Sequence, residues 1–101
     1  MSVQFRTPSL TIPSDVGRRS LQGSETFGSQ VLSAGVALNG FKLDYDIVDG
    51  DHHLNLMEAD TDLLSISGNT VNFRVEFELA DKNFDDPYSG YITVLVVAEV
   101  A

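Results

Sequence analysis

The chain has 101 residues, 43% of them hydrophobic, and 15 acidic against 6 basic residues give it a formal net charge of −9. That length has room for one domain, and the composition is that of a globular protein rather than a disordered one. The negative charge repels phosphate backbones and argues against nucleic-acid binding, while the lack of Cys excludes disulfides, zinc thiolates and thiol catalysis.

The first residues carry neither the basic segment nor the apolar segment of a secretory signal peptide. We therefore expect synthesis in the cytoplasm, with the final location left open between release and incorporation into a particle. The longest unbroken apolar run, residues 94–98, is far too short to cross a bilayer, which predicts no membrane insertion.

Turn-forming residues interrupt the chain about every eight to twelve residues and no stretch has helical periodicity, which is typical of an all-β fold. We predict a single antiparallel β-sandwich domain of about six strands. In this interpretation residues 1–29 form an N-terminal strand and a long loop, and residues 30–101 form the sandwich core.

The N-terminal strand is predicted at residues 3–6 or 9–12. Pro8 and Pro13 lack a backbone N–H, so both segments are expected at a sheet edge. Residues 13–30 are rich in Gly and Ser and are predicted to be a long loop. Arg18 and Arg19 in this loop could anchor it to the acidic surface of a neighbouring subunit.

Apolar residues alternate along residues 30–38, which predicts a strand. Asn39 and Gly40 follow it and form the strongest short-range hairpin signal, because both central residues of a type I′ turn need positive φ. A bulge at the end of one longer strand is the alternative. Further turns are predicted at residues 49–51 and 67–69, with a strand at residues 52–59 between them.

Residues 44–62 contain a run of acidic side chains without any Lys or Arg. Such a run is typical of a solvated rim that keeps an oligomer soluble, and a cation site is the alternative. The acidic residues are Asp44, Asp46, Asp49, Asp51, Glu58, Asp60 and Asp62.

The last two predicted strands have contrasting patterns. Residues 71–79 alternate apolar with polar side chains, which predicts one buried and one wet face. Residues 90–100 are apolar on one face and largely apolar on the other, whereas a small sheet normally buries only one face. We therefore predict that the second face lies in an interface between identical subunits; its interface residues are Tyr91, Thr93, Leu95 and Val97.

The loop at residues 81–88 contains oxygen ligands in alternating positions. Asp81, Asn83 and Asp85 are spaced as at the start of a calcium-binding loop. The sixth and twelfth positions hold Asp86 and Ile92 in place of Gly and Glu, which excludes an EF-hand. A looser calcium site and a turn stabilised by its own Asn and Asp side chains are the alternatives for these residues.

The same loop carries two aromatic residues, Phe84 and Tyr88. Sugar rings stack on exposed aromatic faces while acids and amides accept their hydroxyls, so ligand recognition is a third alternative. Asp81, Asn83 and Asp86 would be the polar partners of such a ligand, and Tyr88 the stacking group.

His52 and His53 precede Asn55 on a predicted strand. Adjacent strand residues point to opposite faces, so the two imidazoles cannot chelate one metal. A hydrogen-bond network at the strand end, a metal held by copies around a symmetry axis, and pH-sensitive assembly are the alternatives. We group His53 and Asn55 with the 81–88 loop as candidate ligand-binding residues.

The chain from residue 30 onward resembles the H-type lectin domain of snail agglutinins and the C-terminal half of discoidins. The resemblance implies a six-stranded antiparallel sandwich that forms a homotrimer and binds N-acetylgalactosamine-type sugars between protomers. Asn55 takes the place of the family's sugar-binding Arg, and Ala80 or Asp81 that of its Trp. The matching stretches are residues 31–41, 53–57, 71–77, 81–88 and 90–98.

Catalysis is not predicted, because the sequence has no nucleophile–base spacing and no phosphate-binding loop. Two functions from different classes remain. The first is a non-catalytic carbohydrate-binding subunit that acts as a homotrimer, with no cofactor unless the 81–88 loop holds calcium. The second is a structural or assembly protein of a phage tail, virion or other particle that uses the same kind of trimeric sandwich.

Overall fold

The computed structural model describes residues 1–46, 54, 56–81 and 86–101. These residues form antiparallel strands and turns, and no helix among them is long and apolar enough to span a membrane. The predicted all-β antiparallel sandwich is confirmed, with seven strands where about six were expected. The strands are β1 (Ser2–Arg6), β2 (Ser9–Asp15), β3 (Arg19–Thr26), β4 (Val31–Tyr45), β5 (Leu56–Ser67), β6 (Thr70–Ala80) and β7 (Tyr88–Val100).

Two sheets, which we call sheet A and sheet B, pack face to face. In sheet A the last strand, β7, is central: β4 pairs along one of its edges, and β1 and β2 share the other edge end to end. In sheet B the order is β3-β6-β5. Both N-terminal strands are at an edge, as the two prolines predicted.

The core lies between the two central strands, β6 and β7. Every second residue is fully buried from Val71 to Phe77 in β6 and from Ile92 to Val100 in β7, and the residues between them are more exposed. The last three residues of β6, 78–80, are all buried. The alternation predicted for residues 71–79 is therefore confirmed as far as Phe77, whereas Glu78, predicted to be wet, is only 7% exposed. The alternation orients β6 because a slip of one residue would place Arg74 and Glu76 in the core. The buried apolar residues on these strands are Val71, Phe73, Val75, Phe77, Leu79, Ala80, Tyr88, Ile92, Val94, Val96, Ala98 and Val100.

The long loop predicted at residues 13–30 is wrong. β2 continues to Asp15, and β3 pairs along its whole length with β6. Leu21 is the only large apolar residue of β3, so the segment has little hydrophobic alternation of its own. Its strand conformation follows from the hydrogen-bonded ladder with β6, a partner that lies far away in the sequence.

The hairpin predicted at Asn39 and Gly40 is also wrong, and the bulge is the correct alternative. β4 runs without a break, and its register against β7 shifts between Leu38 and Gly40. Pairing on both sides of this point keeps the strand continuous, and the extra residue is accommodated as a β-bulge. The turn at residues 67–69 is confirmed: it joins β5 to β6, with Gly68 at a φ of 59°.

The predicted turn at residues 49–51 lies outside the described residues. The strand predicted at residues 52–59 is observed from Leu56, where β5 begins. The fold is long and narrow, with Cα extents of 54 × 17 × 17 Å and a radius of gyration of 16.0 Å, against about 13 Å for a typical domain of 100 residues. Strands of up to 15 residues in sheets only three strands wide produce this shape.

Candidate functional site: the outer face of sheet A

The outer face of sheet A is defined by the side chains that point away from sheet B. Residues directly opposite each other in an antiparallel pair share a face, so the register identifies the set. It comprises Ser89, Tyr91, Thr93, Leu95, Val97 and Glu99 of β7, Val3 and Phe5 of β1, Ser9 and Thr11 of β2, and Ser33, Gly35, Ala37, Gly40, Lys42 and Asp44 of β4.

All four residues predicted to lie in a subunit interface are on this face. In the single chain Tyr91 is 45% exposed, whereas Thr93, Leu95 and Val97 are partly buried by their neighbours. The second face of β7 is therefore covered only in part by its own protomer. The interface itself stays a prediction.

β1 is inverted relative to the usual arrangement of a strand on a core. Its apolar residues Val3 and Phe5 point outward and are 57% and 61% exposed. Its polar residues Gln4 and Arg6 point toward sheet B and are less exposed. The Arg6 guanidinium lies 4.9 Å from the centre of the Phe27 ring, which gives this inward cation an aromatic partner.

A shallow depression of about 220 Å³ lies beside these exposed apolar groups. Small residues of β4 leave this space, because Ser33 and Gly35 carry no bulk opposite Glu99 and Val97. The depression adjoins Val3 and can receive an apolar side chain from a facing surface.

The outward face of sheet B has the opposite character. Its exposed positions are mostly polar or charged, with Leu56, 39% exposed at the start of β5, as an apolar exception. Arg18 reaches across this face to Glu58 at 2.8 Å and Glu76 at 2.6 Å. Hydrogen bonds from Arg18 to Glu58 and Glu76 raise the pKa of the guanidinium further above its ordinary value. These partners belong to the same chain, and the expected anchoring of Arg18 and Arg19 to a neighbouring subunit stays a prediction.

Tyr88 is a core residue, so the expectation of an exposed aromatic group at this position is wrong. Its side chain is fully buried, and its hydroxyl donates a hydrogen bond to the carbonyl of Gly17 at 2.6 Å. The ring contacts Phe77 edge to face, with centroids 6.3 Å apart. Tyr88 begins β7 on its inward face, which removes the ring from any ligand at the surface.

Asp46 joins three strands at the same end of the sandwich. Its carboxylate accepts hydrogen bonds from the hydroxyl of Ser14 and, at 2.5 Å, from that of Ser89. These two bonds, Ser14 first, lower the pKa of Asp46 below its ordinary value because they stabilise the charged form. The group is exposed, so this cluster contributes to the closure of the sandwich end rather than to a buried site.

Asp81 and Asp86 lie near the phenol of Tyr45 at this end. Burial of the phenol, together with the two carboxylates, raises the pKa of Tyr45. Asp81 is only 7% exposed, so little of its carboxylate is available to a ligand. Asp86 is more accessible.

The other predicted ligand-binding residues, His53, Asn55 and Asn83, lie outside the described residues, as does Asp85 of the calcium alternative. In the described part of the chain no group of three or more His, Asp or Glu side chains is placed to hold a metal ion. The calcium hypothesis stays a prediction.

Sequence reasoning did not identify Val3, Phe5 and Lys42 as part of the outer face. The signal for the first two was present, since they alternate with Gln4 and Arg6. What the alternation could not indicate is which set points toward the other sheet. That direction follows from the pairing of β1 with the far end of the chain.

No protein-family profile, no curated protein and no solved structure matches the chain. The resemblance to H-type lectins therefore stays a prediction that rests on the residues that carry it.

Proposed function

We propose that the chain is a non-catalytic structural subunit that associates with further copies of itself through the outer face of sheet A. The observation that carries this proposal is the inverted strand β1, which exposes Val3 and Phe5 while it turns Gln4 and Arg6 inward. A strand on the edge of a monomer gains stability from the reverse arrangement. Exposed apolar side chains beside an apolar strand are typical of a surface that another protein covers.

The size of the face supports the proposal. A strand of 13 residues such as β7 is about 44 Å long at about 3.4 Å per residue, and three strands about 4.8 Å apart are about 14 Å wide. The resulting area of about 600 Å² per copy approaches the roughly 800 Å² per partner of a standard protein interface. Full burial of a Val or Phe side chain contributes about 1.5–3 kcal/mol, so few such residues are needed.

The difference between the two sheets also supports it. The outward face of sheet B carries the Arg18, Glu58 and Glu76 ion pairs, whose exposed charges remain solvated and need no covering partner. The outer face of sheet A has few charges to keep it solvated. In the proposed subunit the outer face of sheet A associates with another copy, and the outward face of sheet B stays in contact with solvent.

Sedimentation of the purified chain tests the proposal. The wild type is expected at a multiple of 11.0 kDa. Phe5→Ala and Val97→Asp are expected to shift the mass toward one copy, and Phe5→Ala should leave the strand content seen by circular dichroism unchanged because the ring is 61% exposed. Ser24→Asp, on the exposed outward side of β3, is the control for an added carboxylate and should leave the mass unchanged.

A wild-type chain that stays at 11.0 kDa at the highest concentration reached would refute the proposal. So would an oligomer whose mass Phe5→Ala and Val97→Asp both leave unchanged. If Val97→Asp loses its folded structure, Phe5→Ala still tests the interface, because it removes apolar surface without burying a charge.

Carbohydrate binding is the second candidate, in the homotrimer that the lectin resemblance implies. The position of Asp86 beside Tyr45 and Asp81 favours it, because carboxylates accept the hydroxyls of a sugar. Glycan-array binding tests it. Binding by the wild type that is lost in Asp86→Ala would support a site at this end, and no binding to any glycan would remove it.

A further inference from the structure

The geometry points to a face-to-face dimer in which two outer faces of sheet A run antiparallel, with Lys42 of each copy paired with Glu99 of the other. This inference rests on the proposed self-association and specifies its partner, its symmetry and its charge contacts. The partner is a second copy of the chain, related by a two-fold axis that lies between the sheets and crosses the strands near Leu95.

The two charges occupy opposite ends of the outer face. Lys42 is directly opposite Tyr91 on β7, and Glu99 is eight residues further along that strand, a separation of about 27 Å. Leu95 is midway between the two levels. Among the described residues Lys42 pairs weakly with Asp44 at 3.9 Å, with side chains 62% and 70% exposed. Within the described part of the chain, no cation lies within salt-bridge distance of Glu99.

Charge selects between the two symmetric ways to stack this face on itself. A two-fold axis parallel to β7 brings Glu99 opposite Glu99, and like charges there oppose association. An axis across the strands at Leu95 exchanges the two ends, so Glu99 of one copy faces the Tyr91 level of the other, one strand from Lys42. Packed sheets are about 10 Å apart and neighbouring strands about 4.8 Å, a gap that extended Lys and Glu side chains bridge.

Side-chain size agrees with the same axis. Phe5 is at the level of Val97, and the axis places it opposite the level of Thr93, where β2 carries the small residue Ser9. Val3 is placed in the same way opposite Thr11. The two exposed apolar side chains of each copy therefore meet small side chains of the other, and Leu95 packs on Leu95 at the axis.

A charge-swap experiment tests the arrangement. Lys42→Glu and Glu99→Lys each place like charges at both contact points of the dimer, and each is expected to raise the dimer dissociation constant about tenfold or more. The double variant restores opposite charges and the wild-type net charge of −9, and is expected to return the dissociation constant to within about threefold of the wild type. Asp60→Lys, on the outward face of sheet B, makes the same change in net charge as Glu99→Lys and should leave the constant unchanged.

Sedimentation equilibrium on the full chain separates failure of this inference from failure of the proposed function. The inference is supported if the wild type has the mass of two copies and the double variant has a dissociation constant close to that of the wild type. A mass of three copies, or a double variant as weak as either single variant, overturns it while self-association stands. A wild type that remains a single copy overturns both.

Discussion

The guanidinium of Arg19 lies 4.3 Å from the centre of the Tyr88 ring and also donates a hydrogen bond to the Tyr88 carbonyl at 3.1 Å. Arg19 begins β3 in sheet B, and Tyr88 begins β7 in sheet A. A second hydrogen bond runs from Arg19 to the carbonyl of Pro13 at 2.5 Å. This pair therefore joins the two sheets at the end of the sandwich, in place of the ligand-binding role predicted for Tyr88.

Tyr88→Phe is expected to lower the free energy of unfolding by about 1 kcal/mol, because the carbonyl of Gly17 loses a buried hydroxyl donor. Urea denaturation followed by circular dichroism measures the change. Tyr91→Phe removes the same hydroxyl from a ring that is 45% exposed, and should change stability by less than about 0.5 kcal/mol. Equal effects of the two substitutions would contradict a structural role for the Tyr88 hydroxyl.

Val96 and Val97 are neighbours on β7 that face opposite sides of sheet A. Val96 is fully buried, so Val96→Ala is expected to cost about 2–3 kcal/mol from lost burial and the cavity left behind. Val97→Ala should cost less than about 1 kcal/mol in dilute protein and weaken self-association instead. If the register of β7 were shifted by one residue, Val97→Ala would lower the free energy of unfolding more than Val96→Ala.

Gly90 has a φ of 155°, and a Cβ placed on it would lie 1.7 Å from the carbonyl oxygen of Lys42 on β4. Gly90→Ala is therefore expected to force β7 and β4 apart and to cost at least about 3 kcal/mol. Gly28→Ala is the matched control, since no atom lies within 4 Å of the added Cβ. Thermal denaturation that gives the same midpoint for both variants would exclude this close contact.

Asp46 predicts a defined acid dependence. Its folded-state pKa is lowered by the hydroxyls of Ser14 and Ser89, so between the folded and ordinary values the unfolded chain binds more protons. The stability from this group is present above the ordinary Asp pKa of about 3.9 and is lost as pH falls through the folded value. Asp46→Asn should lower stability at neutral pH and differ less from the wild type at low pH. Parallel stability curves for the two proteins would contradict this role.

The alternation of apolar and polar residues in the sequence correctly predicted those strands in which every second residue is buried. Residues 71–79 and 90–100 alternate strongly enough that strand, face and core position follow directly from the sequence. The segment at residues 19–26 has one large apolar residue, and residues 39–40 resemble a hairpin turn, so pairing with a distant strand decided both conformations.

In the candidate site, too, the sequence placed some residues correctly and misassigned another. Tyr91, Thr93, Leu95 and Val97 were placed together on one face because they belong to one strand. Tyr88 was misassigned because an aromatic residue beside Asp and Pro is typical of a loop, and only the pairing of β7 with β2 and β4 turns its ring into the core.

The sequence by itself determined an all-β chain whose closing strand is apolar on both faces, since side-chain direction along a strand is a local property. The tertiary structure alone decided that Val3 and Phe5 join that strand's outward face and that Arg6 points inward. The physical reason is that the register between the first and last strands is set by hydrogen bonds between opposite ends of the chain, about which neither segment carries information alone.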